Sequence, residues 1–86
     1  MRIEATIEHE IGLHARPAVL FVETANHFQS DIHILHNGNT ANGKSLLHIL
    51  GLGIKNGEQV TIEAEGEDDA AALTALQALI ENNFGE

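Results

Sequence analysis

Apolar and polar positions alternate along residues 2–8, with Ile3, Ala5 and Ile7 set against Arg2, Glu4, Thr6 and Glu8. A period of two with one apolar side predicts a strand with one wet face. The period then changes. Ala18, Phe21, Val22, Ala25 and Phe28 recur three or four apart and predict a helix over 15–28, with Pro17 tolerated only in its first turn. Alternation returns over 31–36 through Ile32 and Ile34, and Asn37-Gly38 reads as a two-residue hairpin turn into a short strand near 39–42. Lys44 to Leu52 predicts a short apolar helix bounded by glycines. Asn56-Gly57 is another turn, and Val60, Ile62 and Ala64 form the inner side of a fourth strand. Gly66 breaks that strand, and Glu67-Asp68-Asp69 place acids at a helix N-terminus. Ala72, Leu73, Leu76, Leu79 and Ile80 then form one stripe, with Gly85 just past its end.

The predicted order is β-α-β-β-α-β-α, an α+β chain. One-sided alternation in the strands predicts an antiparallel sheet with its helices on a single face, leaving Glu4, Thr61 and Glu63 toward water. At 86 residues, without linker, repeat or low-complexity tract, the expectation is one domain over 1–86. A hydrophobic fraction of 43% is that of a globular chain rather than a disordered one.

Composition narrows the chemistry. There is no cysteine, which excludes disulfides, thiolate metal sites and a cysteine nucleophile. A net charge of -9 without Tyr or Trp argues against a nucleic-acid platform. Met1-Arg2-Ile3-Glu4 meets a carboxylate before any apolar stretch, and the run Ala18 to Val22 is too short for a bilayer. The expectation is a soluble cytoplasmic protein with no signal peptide and no membrane insertion. The acids crowd the two ends of the chain, whereas over 11–57 Arg16, Lys44 and Lys55 outnumber Glu23 and Asp31. An anion site belongs in that middle stretch.

Within it lies Gly12-Leu13-His14-Ala15-Arg16-Pro17-Ala18. His14 falls just ahead of a helix whose first turn holds Pro17. The opening N–H groups of a helix lack intrahelical partners and carry the positive end of its dipole. An imidazole there, with a guanidinium two residues on, can carry a dianionic phosphoryl group. Neutral imidazole is also a competent nucleophile.

Two other patterns carry less. Gly38 to Ser45 satisfies G-x-x-x-x-G-K-S, but 86 residues do not supply the parallel sheet and the magnesium-binding Asp of a nucleotide P-loop. The six histidines His9, His14, His27, His33, His36 and His48 have no metal-ligand spacing; His33 and His36 have opposite parity on one strand. No metal and no cofactor is expected, and the histidines other than His14 are read as scattered over the surface.

Ile11-Gly12-Leu13-His14-Ala15-Arg16-Pro17-Ala18 resembles the active-site signature of the HPr family, the histidine-containing phosphocarriers of the phosphoenolpyruvate-dependent sugar phosphotransferase system. The resemblance covers the whole chain. Asn37-Gly38, Lys44-Ser45-Leu46-Leu47, Gly51-Leu52-Gly53-Ile54, and Leu79-Ile80-Glu81 with Phe84-Gly85-Glu86 fall where that family has similar residues. It implies an open-faced β-sandwich with sheet order 1-4-2-3 and three helices on one side. It also implies a monomeric carrier rather than a turnover enzyme.

On that resemblance, His14 takes a phosphoryl group on Nδ1 from phosphoenolpyruvate-charged Enzyme I and passes it to an Enzyme IIA domain. Arg16 is the charge partner, and the backbone amides of Ala15 and Arg16 cradle the group. Ser45, by its place a helix cap or first-turn residue, matches the serine that an HPr kinase/phosphorylase modifies in many Gram-positive relatives. The alternatives are a regulatory binding module acting through Ser45, or a carrier in a nitrogen-regulatory or dihydroxyacetone branch. Val19, Leu20, Leu46, Leu47 and Leu50 match the apolar patch on which partners dock. Glu23 and Asn26 depart from the family where several relatives are basic, and His48 stands where a small residue is common.

Overall fold

The computed structural model describes residues 1–9 and 12–85. Along it run β1 (Arg2–Thr6), α1 (Ala15–Ala25), β2 (Asp31–His36), β3 (Asn39–Asn42), α2 (Leu46–Gly51), β4 (Gln59–Glu65) and α3 (Asp69–Glu81). A single 3-10 turn follows at Asn83–Gly85. Ile11, the first residue of the signature, lies outside the described residues, as does Glu86.

The strands form one antiparallel sheet in the order β1-β4-β2-β3. Ile62 on β4 stands opposite Ile3 on one neighbour and Ile34 on the other, so inward residues line up across the sheet. One face of β2 and β4 is buried and the other ranges from half-buried to exposed. Against the buried face, α1 brings Ala18, Phe21 and Ala25, α2 brings Ile49, and α3 brings Ala72, Leu73, Leu76 and Ile80. The α+β open-faced sandwich expected from the sequence is therefore the fold. Asn37 (φ 49) and Gly38 (φ 81) both take positive φ, the conformation that a tight two-residue hairpin of this hand requires.

Two local expectations need correction, and a third, the acids at the start of α3, holds with one addition. Helix α1 stops at Ala25 rather than running to residue 28. Asn26 caps it through its own side chain, whose Nδ2 donates to Val22 O at 2.9 Å, and the next two amides close tighter three-residue bonds to Thr24 and Ala25. The side chain of Asp68 caps the α1–β2 connection instead of its own helix. It accepts from Gln29 N at 2.8 Å, Ser30 N at 3.0 Å and the Ser30 hydroxyl, and these bonds, with Ser30 the strongest, hold its carboxyl below the ordinary value. Thr61 and Glu63 are half-buried rather than open to water, because β4 is an interior strand and Glu63 is ion-paired to Arg2 across β1.

No helix among the described residues is long and apolar enough to cross a membrane.

Candidate functional site at the start of the first helix

Helix α1 begins in an unusual way. Its N-cap residue, His14, is extended (φ -96, ψ -167) and its side chain makes no capping hydrogen bond. Pro17 has no N–H to offer, and Ala18 N makes the first intrahelical bond, to His14 O at 2.9 Å. The amides of Ala15 and Arg16 thus precede the first intrahelical donor, Ala18 N, where the helix dipole presents partial positive charge. Ala15 and Arg16 are exposed, and His14 is half-buried. Within the imidazole, Nε2 is buried and has no hydrogen-bond partner.

The approach to His14 is fixed from below. Gly12 takes φ 84, and a Cβ on it would lie 2.5 Å from Ile54 O and 2.8 Å from Lys55 Cα. Only glycine lets the loop lie this close to residues 54–56. Leu13 N then donates to Ile54 O at 3.0 Å. The supporting loop is tied in turn to the end of β1 and to β2. Ile7 N donates to Glu58 O at 3.0 Å, and the Glu58 carboxylate accepts from Lys55 N at 2.7 Å and pairs with His36 Nε2 at 3.0 Å. The Lys55 amide first, and His36 second, hold the Glu58 carboxyl below its ordinary value.

Ser45 is the N-cap of α2, as its position suggested, and its hydroxyl accepts from His48 N at 3.4 Å. The G-x-x-x-x-G-K-S stretch forms no cradle. Residues 39–42 pair with β2, and the Lys44 ammonium donates to Phe28 O at 2.7 Å, behind the end of α1.

The five apolar residues matched to a docking patch divide. Val19, Leu47 and Leu50 are exposed, Leu47 at 81%, whereas Leu20 and Leu46 are half-buried against the core. Helices α1 and α2 pack together. A shallow open depression lined by Leu20, Val22, Glu23, Thr24, Asn26 and His27 lies along α1 and includes neither His14 nor Ser45.

Two histidines read as surface residues are buried. His9 is 4% exposed and His36 is 5% exposed. Parity would have found both, since His9 continues the inward series Ile3, Ala5, Ile7 and His36 continues Ile32, Ile34. The His9 ring lies against that of His14, with centroids 4.7 Å apart and planes tilted by 58°.

Comparison with known proteins fits this geometry. The family model described as "PTS HPr component phosphorylation site" matches residues 1–82. Phosphocarrier protein HPr of Mycoplasma pneumoniae is 36% identical over 83 residues, covering 95% of this chain and 94% of its own. The crystal structure of HPr-C-His from Thermoanaerobacter tengcongensis superposes with a TM-score of 0.97 at 43% identity, covering 100% of this chain and 97% of the other. The crystal structure of Crh, the Bacillus subtilis catabolite repression containing protein, is described as a swapped dimer. It superposes with a TM-score of 0.78 at 38% identity, covering 92% and 91%.

Proposed function

The chain belongs to the HPr family of phosphotransferase-system phosphocarriers, and on that footing we propose that His14 accepts a phosphoryl group from phosphoenolpyruvate-charged Enzyme I and donates it to an Enzyme IIA domain. The observation that carries this reading is the start of α1, where the N-cap residue is an imidazole that makes no capping bond, set at the positive end of the helix dipole. Burial of the unpartnered Nε2 supports Nδ1 as the attacking atom. Its lone pair forms the new N–P bond, the bond from phosphorus to the donor breaks, and the donor keeps that electron pair. The proton stays on Nε2. The developing dianion meets the Ala15 and Arg16 amides and the Arg16 guanidinium. The ring is a good leaving group, so the step reverses readily toward the next acceptor.

Such a carrier turns over no substrate of its own and needs no metal or cofactor. Val19, Leu47 and Leu50 offer the apolar contact for both partners, with Leu20 and Leu46 supporting them from beneath. Exposed large apolar residues among those described are few: Met1, Val19, Leu47 and Leu50. That is too little for an obligate dimer interface, and it supports a monomer.

The test is incubation with phosphoenolpyruvate and a competent Enzyme I. Acid-labile, alkali-stable label is expected on the wild type and absent from His14→Ala; an unlabelled wild type would refute the carrier. A second reading is a regulatory module switched at Ser45 by an HPr kinase/phosphorylase. It is favoured by the long cap bond of Ser45, which leaves the hydroxyl weakly engaged at a helix start. ATP-dependent label on Ser45, with none on His14, would select it.

A further inference from the structure

The ring of His9 is almost wholly buried, and its neighbours are two other rings. It meets His14 at 4.7 Å between centroids, and Phe84 at 6.3 Å and nearly edge-on, with an interplanar angle of 69°. Both separations fall in the range of favourable ring pairs. Backbone bonds fix the middle ring's position as well, since Gly12 N donates to His9 O at 2.8 Å and so ties His9 to the turn that leads into His14.

The far ring is held by an uncommon backbone. Asn83 (φ 51) and Phe84 (φ 56) are consecutive non-glycine residues in the left-handed region, where a bulky side chain is a genuine outlier. Such a conformation persists only where the surroundings over-determine it. Here it turns the Phe84 side chain into the core, where it is 3% exposed. Strain at the end of α3 therefore seats a ring against His9, and His9 lies against the imidazole whose Nε2 is dry and unpartnered.

We propose that His9 is a positioning residue for His14, a buried ring in contact with Phe84 and His14 that sets the tilt of the acceptor imidazole. This rests on His14 being the phosphoryl acceptor. With no side-chain cap bond and no partner on Nε2, ring contact is what the structure offers to orient the imidazole from its buried side. The tilted contact with the His9 ring backs the His14 imidazole on the side where its Nε2 is buried. The C-terminal turn thereby takes part in aiming the nucleophile, by way of two intervening ring contacts.

The test pairs His9→Leu, which keeps apolar bulk without a ring, with His9→Phe, which keeps the ring. Two readouts are taken: the kcat and KM of phosphoryl acceptance from charged Enzyme I, and the ring nitrogen-15 signals of His14 recorded with no donor present. His9→Leu is expected to lower kcat about tenfold at unchanged KM, as misaligned nucleophiles do, and to move the His14 signals. His9→Phe is expected to restore both. Phe84→Leu should move the His14 signals in the wild type and leave them where they are in His9→Leu. His14 signals and kcat in folded His9→Leu that match the wild type would overturn the proposal; if His9→Leu does not fold, unchanged His14 signals in Phe84→Leu would do so. A wild type that takes no label from a competent donor refutes the acceptor reading instead, and the donor-free signals still report whether His9 orients the ring.

Discussion

Helices α1 and α2 start in opposite ways. At α2 the N-cap side chain turns back on its own helix: Ser45 accepts from His48 N, through a long bond of 3.4 Å. At α1 the cap residue is a histidine that bonds to none of the opening amides, followed by an arginine and a proline. The first arrangement favours the helix; the second forgoes a side-chain cap at the positive end of a dipole. The same fold thus caps one helix from its own N-cap side chain and, at the helix before it, does not.

The largest effect should come from Arg16→Ala, which leaves the fold intact and slows transfer to His14 on the order of a hundredfold, as loss of a charge-stabilising donor does elsewhere. Single-turnover labelling would show it, and wild-type kinetics would remove Arg16 from the site. Next comes Gly12→Ala, which forces a Cβ against Ile54 O. It should lower stability by about 2 kcal/mol in denaturant melts and misplace His14 as well. Ser45→Ala should cost about 1 kcal/mol through the loss of the α2 cap, with labelling of His14 unchanged. A fall in His14 labelling there would break the contrast between the two helix starts.

The smallest effect concerns α3, whose N-cap carboxylate serves a distant segment. Hydrogen bonds from Ser30 and Gln29 hold the Asp68 carboxyl below its ordinary value in the folded state. Its contribution is therefore complete above the unfolded-state value near pH 4 and fades as pH falls through the lower folded-state value. Melting curves between about pH 5 and pH 2 should decline for the wild type and decline less for Asp68→Asn.

The sequence disclosed whatever depends on neighbours in the chain. The strands of β2, β3 and β4, the Asn37-Gly38 hairpin and the α3 stripe follow from period and turn chemistry alone. So does the candidate site, because a histidine before a proline-bearing first turn is a local pattern. What stayed hidden was set by distant contacts. Nothing near Gly12 says that residues 54–56 press against it, and nothing near Asp68 says that residues 29 and 30 will claim its carboxylate. His9 and His36 are a different case. Their parity marked them as inward, but histidine is so commonly exposed that residue type outweighed the pattern.

The placement of β4 between β1 and β2 bears on how the protein comes off the ribosome. Arg2 pairs with Glu63 and Thr6 with Gln59, so β1 has no sheet partner until nearly the whole chain has been synthesised. The β2–β3 hairpin is complete early, yet the strand that joins it to β1 emerges late. Nascent chains should therefore stay protease-sensitive until residues 59–65 clear the exit tunnel, and then gain protection in one step.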